Sequence, residues 1–185
     1  QLAVLTDPAT LRATANTVAK AADTLASLND AAGEAKAHFV HATALARLGE
    51  IGACEEALDR ALAAARGAGD RRRANAVLTG APVAALWGPS PVTRASGRCL
   101  DVVRVLRITQ GAPAVEAVAL RCQAVLEALR GRAEAARRMI AASRHLVEEL
   151  GITQRLLEAE MFAGLIDLLE GDAAAAERSL RPAYD

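Results

Sequence analysis

The chain repeats itself, and the repeat decides what every other residue can mean. In Leu45-Ala46-Arg47-Leu48-Gly49-Glu50-Ile51-Gly52-Ala53-Cys54 a helical run meets Gly49, and a second run follows with small or apolar residues at helical spacing. The same grammar returns at Leu129-Arg130-Gly131-Arg132-Ala133-Glu134 and at Leu169-Glu170-Gly171-Asp172-Ala173-Ala174. Gly49 and Gly131 lie 82 residues apart, twice 41, and Gly131 and Gly171 lie 40 apart, so a turn is owed near residue 90. Leu86-Trp87-Gly88-Pro89-Ser90-Pro91-Val92 supplies it. There Ser90 is placed to cap a helix and Pro91 to take its first position. One more step back falls on Asp7-Pro8, the same cap-then-proline start.

Three aligned positions carry the helical stripe. The first is Cys54, Ala95, Ala136 and Ala176; the second is Leu58, Cys99, Ile140 and Leu180; the third is Ala61, Val102, Ser143 and Ala183. Small, larger and again mostly small residues, four and three apart, share one helix face and let neighbouring helices approach closely. The pattern predicts helices over Pro8–Leu28, Gly33–Leu48, Ile51–Arg66, Asp70–Trp87, Pro91–Ile108, Pro113–Arg130, Ala133–Leu150, Thr153–Glu170 and Asp172–Asp185. The connections between them are short, so consecutive helices must pack antiparallel. The expected fold is all-α, a right-handed superhelical solenoid of antiparallel hairpins with a period of 40–41 residues. It forms one domain over 1–185, with a partial hairpin at 1–29 and repeats at about 31–68, 70–109, 112–151 and 153–185. Pro82 and Pro182 fall inside predicted helices, where each removes a donor and bends the axis.

Composition agrees with close helix packing, being 52% hydrophobic but only 2% aromatic. The 22 basic and 22 acidic residues cancel, so no net field draws in a polyanion and nucleic acid is not an expected partner. Cys54, Cys99 and Cys122 are odd in number, lack CxxC spacing and sit in apolar helical settings. They read as buried reduced thiols of a cytoplasmic protein. No run is long and apolar enough to span a membrane, and the first residues lack the order of a signal peptide. The sequence opens on Gln1 and stops at Asp185 inside a predicted helix, the pattern of a piece of something longer.

The phrase Leu86-Trp87-Gly88-Pro89-Ser90-Pro91-Val92, the run Arg130-Gly131-Arg132-Ala133-Glu134-Ala135-Ala136-Arg137 with Glu148-Glu149-Leu150-Gly151, and the stretch from Leu168 to Tyr184 resemble the tetratricopeptide region of large bacterial signalling ATPases. In that family the region follows an AAA-like or STAND-type nucleotide-binding module, often with a nucleotide cyclase or transcription-factor domain elsewhere. The resemblance covers the chain from about Leu28 onward. It departs from the common tetratricopeptide repeat of about 34 residues in its longer period and in aliphatic, alanine or polar residues at the usual aromatic sites. The Lys, Asn and Arg clamp of chaperone adaptors is missing as well. The corresponding inner positions hold Phe39, Val40 and Thr43, then Gly80, Ala81 and Ala84, then Arg121, Cys122 and Val125, then Met161, Phe162 and Leu165. A C-terminal acidic peptide is therefore not the expected ligand.

Catalytic constellations are weak. No GxxxxGK[ST] loop is present to wrap a phosphate. His38 and His41 are three apart on one helix, with Cys54 on the next, but HxxH alone does not specify a metal. Ser90, Thr93 and Ser96 lack a nucleophile elbow. Glu55-Glu56, Glu148-Glu149 and Glu158 with Glu160 read as solvated faces of amphipathic helices. Asp70-Arg71-Arg72-Arg73 opens a helix against its dipole, with Asp70 as an offsetting cap, and reads as a solvated helix start. The single Trp87 is expected to pack on a neighbouring repeat and seal its turn.

The resulting expectation is a non-catalytic scaffold that binds a protein or peptide segment, or another domain of its own chain, without cofactor or metal. Phe39, Thr43, Arg121, Met161 and Phe162 are the candidate groove residues, with Arg121 orienting a partner's carboxylate or polar group. The alternative is a small-molecule effector sensor within a transcription regulator, since the resemblance extends to an activator that takes an inducer sugar.

Overall fold

The computed structural model describes residues 7–108 and 112–184, with side chains as far as Arg181. Among them are nine α-helices and no strand: α1 (Leu11–Ser27), α2 (Ala31–Arg47), α3 (Ile51–Gly67), α4 (Arg71–Trp87), α5 (Val92–Ile108), α6 (Pro113–Leu129), α7 (Ala133–Glu149), α8 (Thr153–Leu169) and α9 (Ala173–Tyr184). The all-α expectation holds. At the start, Asp7 Oδ1 accepts from the Ala9 N–H at 3.1 Å and opens a 3-10 turn, Pro8–Thr10, ahead of α1. At residue 91 the proline takes the cap position itself, its carbonyl accepting from the Ala95 N–H at 3.0 Å, and α5 opens one residue later than expected.

The punctuation is finer than the 40-residue repeat. Helices α1 to α8 are each 17 residues long, and left-handed residues stand at Asn29, Gly49 and Gly69, then at Gly131, Gly151 and Gly171, in steps of 20. Each closes its helix with the same pair of bonds. After α1 the Asn29 N–H reaches the Ala26 carbonyl and the Asp30 N–H reaches the Leu25 carbonyl, both at 3.0 Å. This is a Schellman ending, which needs φ near +60° and so favours glycine or asparagine. The residue after it already caps the next helix: Asp30 Oδ1 accepts from the Gly33 N–H at 2.9 Å, and Asp70 and Asp172 do the same for Arg73 and Ala175 at 2.8 Å. Three residues thus end one helix and start another. The connections 88–91 and 109–112 each hold one residue more, which accounts for the 41-residue steps.

The chain divides after Pro89 into two compact units, between the two helices of the repeat 70–109. In the first, α1 to α4 pack in sequence and α2 also touches α4. In the second, α5 to α9 pack in sequence and α6 also touches α8. This contact between alternate helices is what a stack of hairpins requires.

Packing follows the stripe. Cys54, Ala95, Ala136 and Ala176 are buried, as are Leu58, Cys99 and Ile140 in the second position and Ala61, Val102 and Ser143 in the third; Leu180 is half-buried, and Ala183 lies outside the described side chains. In the first unit Leu45, Leu58 and Val77 meet among alanines, with Phe39, Ile51 and Leu62 at the edge. Pro82 is buried within an uninterrupted α4, and the Pro182 side chain lies outside those described. In the second unit α6 is buried on every side from Ala117 to Glu127, as a helix sandwiched between neighbours must be.

Candidate functional site

In the first unit α2, α3 and α4 leave a pocket of about 360 Å³ between them. Its existence is a matter of residue size. On α4 the residues facing it are Ala76, Thr79, Gly80, Val83, Ala84 and Trp87, a single stripe at helical spacing; α2 contributes Phe39, Ala42, Thr43 and Ala46, and α3 contributes Ile51, Cys54 and Leu58. Gly80 sets the depth, because a Cβ there would only just touch Leu58, at 3.5 Å.

The wall offers almost nothing to a polar ligand. Both threonine hydroxyls bond to their own helices, Thr43 Oγ1 to the Phe39 carbonyl and Thr79 Oγ1 to the Asn75 carbonyl, each at 2.9 Å. That satisfies the hydroxyls locally. Burial pushes the Cys54 thiol up to about 11, so it remains a neutral apolar wall at ordinary pH. Trp87 is 56% exposed at the edge, where the sequence reading has it packed on a neighbouring repeat; it lines both the pocket and a second depression that includes Ile51, Gly52 and Pro89.

A second cleft, of about 460 Å³, continues the first and shares Phe39 and Ala76 with it. Its other lining residues are Lys36, Asp70, Arg72 and Arg73. Asp70 is engaged as the cap of α4, and the Arg73 Nε stands 3.9 Å from its Oδ2. Three cations therefore face one carboxylate, and the basic run read as a solvated helix start is gathered with Lys36 at the end of the apolar trough.

The five candidate groove residues are divided between the two units. Phe39 and Thr43 line the pocket of the first unit, whereas Arg121, Met161 and Phe162 belong to the second. Arg121 is only 4% exposed and is ion-paired with Glu158, its guanidinium carbon 5.1 Å from the Phe162 ring centroid. It is thus occupied inside the unit instead of waiting for a partner's carboxylate: α6 is covered on all sides, and a cation on it had to find its counter-charge within. Phe162 is half-buried beneath it, and Met161 points away, 57% exposed. Glu158 also receives Arg155 Nη1 at 2.8 Å, and Arg144 reaches Glu160 at 2.6 Å. Glu158 and Glu160 are therefore ion-paired and half-buried, not a solvated face.

His38 is buried and lies 3.7 Å from Glu34, while His41 is half-buried; burial lowers the pKa of both below the ordinary histidine value. Among the described residues no three His, Cys, Asp or Glu side chains converge where they could hold a metal. Cys54, Cys99 and Cys122 are buried and form no disulfide, and burial raises the Cys122 thiol further still. Glu55 is buried too, its carboxylate against Gly88 at the end of α4, whereas Glu56, Glu148 and Glu149 are exposed as expected.

The sequence reading missed the buried polar cluster between α5 and α6. Gln123 Nε2 donates to Ser96 Oγ at 2.6 Å and to Glu127 Oε1 at 2.9 Å. Arg130 and Arg132 hold the two Glu127 oxygens at 3.1 and 3.2 Å. The available signal was Gln123 and Glu127, four apart in a mostly apolar helix. Ser96 is buried, out of reach of any substrate, so the trio is structural. No protein-family model matches the chain, and no curated protein matches it significantly.

Proposed function

We propose that this chain is a non-catalytic helical-repeat module that binds a protein segment by seating its apolar side chains in the pocket of α2, α3 and α4. The apolar, open-edged trough ending on Trp87 carries the reading. An apolar anchor there replaces water against apolar wall at about 25 cal/mol per Å², and an exposed tryptophan is a common anchor of such contacts. The resemblance to the tetratricopeptide region of signalling ATPases supports the same role, as a cytoplasmic piece of a larger signal-transduction protein whose nucleotide chemistry resides elsewhere.

A small-molecule effector is the second reading, favoured by the volume, which falls in the range of about 300–1,000 Å³ typical of ligand pockets. The wall argues against a sugar, since both lining hydroxyls are already bonded to their own helices. The sole tryptophan reports on the site directly. Titrating the chain with amphipathic helical peptides should shift Trp87 emission and raise the Tm, and Gly80→Leu, which fills the pocket, should abolish both. A chain that ignores every such peptide but is stabilised by sugars, by about 2.7 kcal/mol at 100 times Kd, would refute the preferred reading.

A further inference from the structure

Resting on that reading, we infer the kind of segment the trough takes: an amphipathic helix whose apolar face lies over the pocket and whose C-terminal end, bearing Asp or Glu, meets Lys36, Arg72 and Arg73.

The two clefts lie on one line. On α4 the stripe runs from Arg72 and Arg73 through Ala76, shared by both clefts, to Trp87, and on α2 it runs from Lys36 through Phe39, also shared, to Ala46. The apolar part of α4, from Ala76 to Trp87, rises about 16 Å at 1.5 Å per residue. That is three helical turns, room for anchors at i, i+3 or i+4, and i+7.

The wall selects the backbone of the occupant. An extended peptide would bring a row of N–H and C=O groups against a wall whose polar groups are two threonine hydroxyls, each already donating to its own helix, and the Trp87 indole at the edge, and leaving most of that row unmet is costly. A helix has satisfied its own backbone bonds everywhere except at its ends. Its C-terminal end is left with bare carbonyls and a partial negative charge. The basic cleft is the one place along the trough that welcomes both, and acidic side chains there gain charge-assisted bonds as well. The partner helix therefore runs antiparallel to α4. Among the described residues no ion pair engages Lys36 or Arg72, and both are exposed, so neither has to give up a partner.

The test uses the whole chain and three helical peptides of about 16 residues with one shared leucine stripe. One carries a glutamate triplet at its C-terminal end, one carries it at its N-terminal end, and one carries lysines at its C-terminal end. Trp87 emission reads binding. The first peptide should bind about tenfold more tightly than the others, and this preference should fade with salt. In Lys36→Glu/Arg72→Glu the order should reverse, the lysine-ended peptide becoming the tighter by a similar factor. Unchanged helicity and Tm would show the variant intact. Equal affinities for all three peptides, indifferent to the double variant but lost in Gly80→Leu, would overturn the acidic-end inference and leave the pocket reading standing. Failure of all three peptides while dodecanoate shifts Trp87 emission would overturn both in favour of a small amphiphile. Failure of peptides and dodecanoate alike would also overturn both.

Discussion

Arg121 of α6 is ion-paired with Glu158 of α8 and lies over the Phe162 ring, and its Nε and Nη1 are buried without a hydrogen-bond partner in the protein. A buried charge pair of this kind contributes little net stability but is costly to break from one side. Glu158→Gln should destabilise the protein by about 3 kcal/mol, because it strands the arginine charge. Arg121→Met should cost less, because the half-buried Glu158 keeps Arg155 Nη1 at 2.8 Å. Urea unfolding with an unchanged m-value distinguishes the two, and a large loss in Arg121→Met would contradict this account.

The Ser96–Gln123–Glu127 cluster should behave as a unit. Ser96→Ala leaves a fully buried Gln123 amide short of one acceptor and should cost about 1–3 kcal/mol. In the double variant Ser96→Ala/Gln123→Leu the loss should be smaller than the sum of the singles, a coupling that a double-mutant cycle measures.

Gly164 of α8 is held open for Leu180 of α9: a Cβ at residue 164 would stand 2.7 Å from the Leu180 Cγ. Gly164→Ala should therefore cost about 1–3 kcal/mol as an overpacking change, although alanine is the better helix former. A partial recovery in Gly164→Ala/Leu180→Ala would identify the clash as the cause.

The helix endings should respond to backbone conformation alone. Gly69 has φ +67°, and a Cβ added there would meet no other atom within 4 Å, so Gly69→Ala should lose about 1 kcal/mol purely to the left-handed penalty. Asn29, at φ 58° in the equivalent place, should gain a few tenths, about 0.3 kcal/mol, on Asn29→Gly. Thermal melts of the two variants give the signs.

His38 and His41 set a pH dependence. Burial lowers both folded-state pKa values, so as pH falls below the unfolded-state value of about 6.5 the unfolded chain takes up protons that the folded chain refuses. Stability should be level above that point and decline below it until the folded-state pKa values are passed. Denaturant midpoints measured from pH 7.5 down to 5.5 should show the decline, and His38→Gln should flatten part of it.

The repeat was legible because glycine spacing and the small-residue stripe are local properties. Gly49, Gly131 and Gly171 stand where a Schellman ending needs a left-handed residue, and Cys54, Ala95 and Ala136 stand where helices touch. Sequence alone therefore determined the helices, their ends and the buried face. Tertiary structure decided the fate of the charges. Arg121 is four residues from Val125 and looks no different in sequence from a groove residue. Only the covering of α6 on every side commits it to Glu158, and only the approach of α2 to α4 brings Lys36 beside Arg72 and Arg73. Helical periodicity says which residues share a face; which faces are then covered depends on neighbours distant in sequence, and so does the side on which an unpaired cation is left.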